Sequence, residues 1–268
     1  MTLKTLPLSE TNQKVSYRAQ GTGEPLVLIH GVGMQSAAWL PQIEKFAKRY
    51  QVIALDMPGH GDSDPLPPGS QLPVYVAWCK AVLEALNLGP VNLAGHSMGA
   101  LIAGGMATTH PHLIRRVALL NGVFQRDAAA REAVQARAAD LHDGKIDMEA
   151  PLTRWFDDHQ KQARLQVAAW LGAVDLRGYA TAYTAFAHGD ATYADSFSKI
   201  ACPFLAITGN GDPNSTPAMT QAMAELVPGG RAITIDGHRH LLNLTAVDQV
   251  NGYLQDWLDR ATQAKEIA

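Results

Sequence analysis

Cysteine and clustered positive charge are both scarce in this chain, and each shortage closes off a class of protein. With two cysteines, Cys79 and Cys202, in 268 residues, neither a disulfide framework nor a Cys-rich metal site is indicated. The formal net charge is −3 and no Lys/Arg run is present, which argues against a nucleic-acid partner. No apolar run approaches the length of about 20 residues that crosses a bilayer, so no membrane partner is expected. Met1 to Ser16 carries neither the positive nor the apolar region of a secretory signal, and the expectation is a cytoplasmic protein. No Gly-Lys-Ser/Thr follows any of the glycine pairs, which removes a phosphate loop.

What remains is a chain with the means to bury a large core: 47% of it is hydrophobic and 18% charged, an ordinary globular balance. Short apolar runs alternate with helical patterns. Strands are expected at Val15–Ala19, Pro25–Ile29, Gln51–Leu55, Val91–Ala94 and Val117–Leu120, then at Pro203–Thr208 and Arg231–Ile235. Helices are expected between them, over Ala37–Arg49, Val74–Leu86, Ala100–Ala107, Pro217–Leu226 and Ala246–Arg260. This alternation predicts an α/β fold with a mostly parallel central sheet and helices on both faces.

One segment breaks the rhythm. From Phe124 to Phe197 no strand is convincing, and Ala-rich helical stretches take over at Ala128–Leu141, Ala150–Trp155, Ala163–Leu171 and Tyr179–Ala187. That segment holds eight Lys/Arg and eleven Asp/Glu, so the whole net charge of −3 lies in it. The expected organisation is a core formed by residues 1–122 and 198–268, with a helical cap, residues 123–197, inserted between two strands.

The chemistry centres on Gly95-His96-Ser97-Met98-Gly99. A strand running into Gly-x-Ser-x-Gly and out into a helix lifts a serine hydroxyl onto a sharp turn above the sheet. The flanking residues are glycine because a turn this tight leaves no room for a Cβ. Serine is a weak nucleophile until a base removes its proton, and that base needs a carboxylate to set its tautomer. In this architecture the chain order is Ser, acid, His. Asp212 follows the strand ending at Thr208, where Asn121, the other position for an acid, cannot ionise. Asp236 sits at a strand end and reads as structural. Two histidines, His238 and His240, follow the last strand, and the residues alone do not separate them. A metal on His238 and His240 lacks a third ligand, so neither metal nor cofactor is expected. His30, His60 and Asp62 read as supports for their loops.

His30-Gly31-Val32-Gly33, Asp56-Met57-Pro58-Gly59-His60-Gly61-Asp62-Ser63, the serine pentapeptide, Gly209-Asn210-Gly211-Asp212 and Asp236-Gly237-His238-Arg239-His240 together resemble the α/β-hydrolase family over nearly the whole chain. The resemblance implies the α/β-hydrolase fold with a cap and a triad of Ser97, Asp212 and His240. The histidine falls three residues after Gly237, with Arg239 standing where many relatives have glycine. It also implies an oxyanion hole from the backbone N–H groups of Val32 and Met98, with Gly33 as the alternative to Val32. Within the family, Arg154-Trp155-Phe156, Gly178-Tyr179-Ala180 and Ala185-Phe186-Ala187-His188-Gly189-Asp190 are similar to the 3-oxoadipate enol-lactonase group. The expected activity is hydrolysis of a small carboxylic ester or lactone through an acyl-serine. Arg154 and Trp155 are the candidate substrate-binding residues, and Phe156, Trp170, Tyr179, Tyr183 and Phe186 are further aromatics able to line a pocket. Two alternatives stand beside it: C–C hydrolysis of a diketone ring-fission product, and a non-enzymatic ligand-binding protein on the same scaffold.

Overall fold

In the computed structural model, which describes residues 2–143 and 147–262, strands and helices alternate as the hydrophobic pattern requires. Positions 144–146 of the insertion and 263–268 of the core lie outside the described residues. The strands are β1 (Leu3–Pro7), β2 (Lys14–Gln20), β3 (Glu24–Ile29), β4 (Tyr50–Leu55), β5 (Val91–His96), β6 (Ile114–Leu120), β7 (Phe204–Gly209) and β8 (Arg231–Ile235). They form one sheet in the order β1-β2-β4-β3-β5-β6-β7-β8. Only the pairings of β2 with β1 and β4 are antiparallel. From β4 to β8 every pairing is parallel.

The central strands read as unbroken apolar runs because both faces are covered. Along β3, Val27 and Ile29 join one core while Leu26 and Leu28 join the other. The second core is closed by α1 (Leu40–Phe46) and, near the C-terminus, by α9 (Val247–Leu258), which delivers Val250, Leu254, Trp257 and Leu258. The first core receives α2 (Leu72–Ala85) and α3 (Met98–Thr109), together with α8 (Pro217–Leu226) and the insertion.

The insertion leaves the sheet after β6 and returns at β7. It carries α4 (Ala128–His142), α5 (Glu149–Trp155), α6 (Lys161–Ala173) and α7 (Leu176–Gly189). Helices α4 and α7 start on aspartate caps: Asp127 accepts the N–H of Ala130, and Asp175 that of Gly178. The insertion meets the core at close range. A Cβ on Gly178 would lie 2.5 Å from the Cα of Gly59, so two glycines let α7 rest directly on the loop after β4.

Two local expectations need correcting. The helix expected over Ala37–Arg49 is a 3-10 turn, Ser36–Trp39, followed by the shorter α1. Pro41 is the reason: it has no N–H to give the carbonyl of Ala37, so an α-helical ladder cannot run through it. The strand β1 was not expected, and it forms an antiparallel hairpin with β2 at the sheet edge. No helix among the described residues is long and apolar enough to cross a membrane.

Candidate active site

The sheet reverses its winding between β3 and β5, since β4 lies on one side of β3 and β5 on the other. Such a crossover opens a crevice at the carboxyl ends of the strands, and the loops after β3, β5, β6, β7 and β8 converge there.

Ser97 occupies the turn between β5 and α3 with φ 54° and ψ −113°, a conformation that costs a non-glycine residue of order 1–3 kcal/mol. Its neighbours hold it there. A Cβ on Gly95 would lie 2.0 Å from the carbonyl oxygen of Gly99, and one on Gly99 would lie 2.2 Å from that of Ile29. The Ser97 N–H donates to the Leu120 carbonyl at 2.9 Å, tying the turn to β6.

The Ser97 hydroxyl is 3.1 Å from Nε2 of His240, and Nδ1 of His240 is 2.7 Å from Oδ2 of Asp212. All three side chains are buried. Asp212 accepts further bonds from the Asn121 side-chain amide at 2.8 Å and from the backbone N–H groups of Asn214 and Ser215 at 2.8 and 3.2 Å. Burial by itself would raise its carboxyl pKa; the charge and hydrogen bond of His240, with the Asn121 and Asn214 donors, outweigh it and hold the group below the ordinary value. Asn121, passed over in the sequence because it cannot ionise, therefore works as a donor that keeps Asp212 charged. His96 donates from Nε2 to the His240 backbone carbonyl at 2.7 Å. Burial and the neighbouring His240 push its pKa down to about 3, so it is a neutral support.

The structure separates the two histidines that the residues left open. His238 turns away, its Nδ1 3.1 Å from the Thr245 hydroxyl. It also separates the candidates in the loop after β3. The Gly33 N–H is occupied by Nε2 of His60 at 2.9 Å, while Val32 lines the cavity. Met98 opens α3 directly after Ser97, where a backbone N–H has no carbonyl one turn earlier. His30 and His60 brace the loops: His30 Nε2 accepts from the Met57 N–H at 2.9 Å, and each Nδ1 donates to a backbone carbonyl, of Gly31 and Pro58. Asp236 is exposed and accepts from Asn210. Among the described residues no group of three His, Cys, Asp or Glu side chains is placed to hold a metal ion.

Above Ser97 and His240 is a cavity of about 400 Å³, within the ordinary range for small-molecule sites. Arg154 and Trp155 both line it, as do Tyr179, Tyr183 and Phe186. Phe156 and Trp170 do not. Trp155 stacks on His240, and Phe156 is buried in the core behind it. Sequence reasoning missed two lining arginines, Arg126 and Arg137. Nothing in the local sequence distinguishes them from surface arginines on an Ala-rich helix.

Known proteins share this fold. The profile of the alpha/beta hydrolase fold family matches residues 24–247, and the chain belongs to that family. It is 54% identical over 97% of its length, and 99% of the relative's, to the (E)-2-((N-methylformamido)methylene)succinate hydrolase of Acinetobacter baylyi. Among solved structures it superposes on the enol-lactonase of Burkholderia xenovorans with a TM-score of 0.86 at 24% identity, covering 96% of this chain and 100% of that one. A thermophilic esterase from Thermogutta terrifontis gives a TM-score of 0.86 at 20% identity, with 96% and 98% covered. At those identities the two structures speak to the fold alone. With the A. baylyi relative, the chain is an α/β-hydrolase enzyme.

Proposed function

We propose that this α/β-hydrolase transfers the acyl group of a small carboxylate-bearing substrate to water through Ser97. The observation that carries the reading is the unbroken series from the Ser97 hydroxyl to His240 to Asp212, at 3.1 and 2.7 Å, on the floor of the cavity. His240 Nε2 takes the hydroxyl proton as Oγ attacks the carbonyl carbon. Asp212 accepts the Nδ1–H and stabilises the imidazolium that forms. The negative charge developing on the carbonyl oxygen is met by the N–H groups of Val32 and Met98, an interaction worth about 2.7–4 kcal/mol per donor in the transition state. Collapse expels the leaving group, which takes the proton from His240. A water then attacks the acyl-serine by the same route and restores the hydroxyl.

The substrate class follows from the cationic lining of the cavity and from the relative. Small esters and lactones suit the acyl-serine route. The A. baylyi enzyme is named for a formamide carried on an alkene of a succinate skeleton, and a formamide is cleaved by the same steps. The formyl group passes to Ser97, and the nitrogen, conjugated through the alkene to a carboxylate, leaves more readily than a simple amine. Carbonyl–oxygen or carbonyl–nitrogen cleavage therefore ranks ahead of C–C cleavage of diketones.

A fluorophosphonate probe tests the nucleophile, and the bond cleaved is tested with short p-nitrophenyl esters, lactones, N-formyl enamides and vinylogous diketones. Labelling at Ser97 with turnover of at least one ester, lactone or formamide is the expected result. Turnover of the diketones alone would transfer the assignment to C–C hydrolysis. Folded protein that neither labels nor turns over any of them would be a binding protein on this scaffold.

A further inference from the structure

The lining of the cavity above Ser97 is cationic. Helices α4, α5 and the segment before them bring Arg126, Arg137 and Arg154 to it, with Tyr183 of α7. Arg137 donates Nε to the Tyr183 hydroxyl at 3.1 Å, and the charges of Arg126 and Arg154 both sense Arg137 and Tyr183. The three guanidiniums thus line one cavity, and one of them, Arg137, bonds the Tyr183 hydroxyl.

Their hydrogen bonding is incomplete. Arg126 is 5% exposed. Its Nη1 meets Asp190 at 3.2 Å and the Phe186 carbonyl at 3.3 Å, and its plane lies over the Phe186 ring at 4.5 Å. Its Nη2 has no hydrogen-bond partner, and neither has the buried Nε of Arg154. Among the described residues no carboxylate forms an ion pair with Arg137 or Arg154. Asp190 is engaged by Arg126 and Arg131, Glu149 by Arg164, and Asp157 by Arg239. Asp127 also lines the cavity, but its Oδ1 caps α4 at Ala130.

Burying guanidinium donors without acceptors is unfavourable. Burial and the charge of Arg137 both press the Arg154 pKa downward. An incoming anion removes both penalties, and the guanidinium fork matches a carboxylate better than any other common small anion save phosphate. The unpartnered donors lie on two different side chains, Arg126 and Arg154.

We propose that this wall is a dicarboxylate site: the Arg126 guanidinium receives one carboxylate and the Arg137–Arg154 pair receives the other, presenting the acyl group of the same molecule to Ser97. The site deepens the hydrolase reading and rests on it for its purpose, but binding is measurable without turnover.

Calorimetry on full-length Ser97→Ala protein, with itaconate as the two-carboxylate probe and methacrylate as its one-carboxylate counterpart, makes the test. Itaconate should bind at least about tenfold more tightly than methacrylate, a difference of about 1.4 kcal/mol, and its affinity should fall as salt is added. Arg137→Gln and Arg154→Gln should each weaken itaconate by about tenfold or more, with unchanged melting curves establishing that each variant is folded. Arg126→Lys keeps a positive partner for Asp190 while losing the second terminal nitrogen, and should also weaken itaconate. If that variant does not fold, the other two decide. Equal affinity for the two probes, or itaconate binding indifferent to both Gln substitutions, overturns the site. Itaconate binding with no fluorophosphonate labelling of the unmutated protein would sink the hydrolase reading and leave the site standing; labelling without itaconate binding would do the reverse.

Discussion

The indole of Trp155 lies stacked on the imidazole of His240, ring centroids 5.7 Å apart and planes 23° from parallel. The cap therefore touches the proposed base itself. The contact is held from one residue away: Arg239 donates Nη1 to the Thr153 carbonyl at 3.0 Å and pairs Nε with Asp157 at 2.7 Å. Arg239, where many family members have glycine, thus ties the histidine loop to both ends of the segment that presents Trp155. Because the pair is partly exposed, it should contribute about 0.5–1 kcal/mol. Arg239→Ala and Asp157→Ala are each expected to lower kcat/KM for an ester substrate by about threefold. The double variant should lose no more than either alone, and a fully additive loss would show that the two residues act separately.

The histidines should differ sharply in kinetics. His240→Ala removes the group bonded to both Ser97 and Asp212, and kcat should fall by about 10⁴-fold or more. His238 faces Thr245, so His238→Ala should retain turnover within about threefold. Comparable losses in the two variants would show that the bonding at rest does not identify the base.

Acid should destabilise the fold before the carboxylates titrate. Burial holds His30 at a pKa of about 4, and His60 and His96 at about 3, against an ordinary value of 6.5. In the unfolded chain these three gain protons as pH falls through 6.5, while in the folded protein they stay neutral. The unfolded state then binds more protons, and stability drops as pH falls from about 6.5 toward 4. Three such groups give a limiting slope of about 4 kcal/mol per pH unit, at about 1.4 for each proton. Urea midpoints between pH 5 and 7 measure it, and His60→Gln should reduce the slope by about one proton.

The glycine contact under the cap predicts a packing defect. A Cβ at Gly178 meets Gly59 Cα at 2.5 Å, and Gly59 cannot retreat because its own φ of 73° belongs to a tight turn. Gly178→Ala should lower stability by about 1–3 kcal/mol and raise KM by lifting α7 from the loop after β4. Thermal melting with steady-state kinetics on the same sample checks both, and an unchanged KM would detach cap seating from substrate binding.

Much of the fold was legible because it depends on local pattern. Helix Pro217–Leu226 and strand Arg231–Ile235 match their expected bounds, with a proline at the helix start and an apolar–polar pattern in the strand. Strand β1 was missed because Leu3–Pro7 is a half-exposed edge with little apolar signal, formed only when β2 offers its hydrogen-bonding side. The Ser36–Trp39 turn escaped because apolar spacing continues across Pro41 although the hydrogen-bond ladder cannot.

At the site, chain order and residue type were enough to expect Ser97, Asp212 and a histidine to meet, since strand ends must converge at the open edge of a parallel sheet. Sequence spacing could not say which way a loop side chain points. The fold turned His238 toward Thr245 and His240 toward Ser97, and it occupied the Gly33 N–H with His60 while leaving Val32 at the cavity. It also brought Arg126, Arg137 and Arg154 to one cavity, with Arg137 bonded to Tyr183. The proposed nucleophile is written in a motif because its geometry is set by one turn of backbone. The arginine wall is not, because it exists only where the approach to α4, its body and the end of α5 pack against the same cavity.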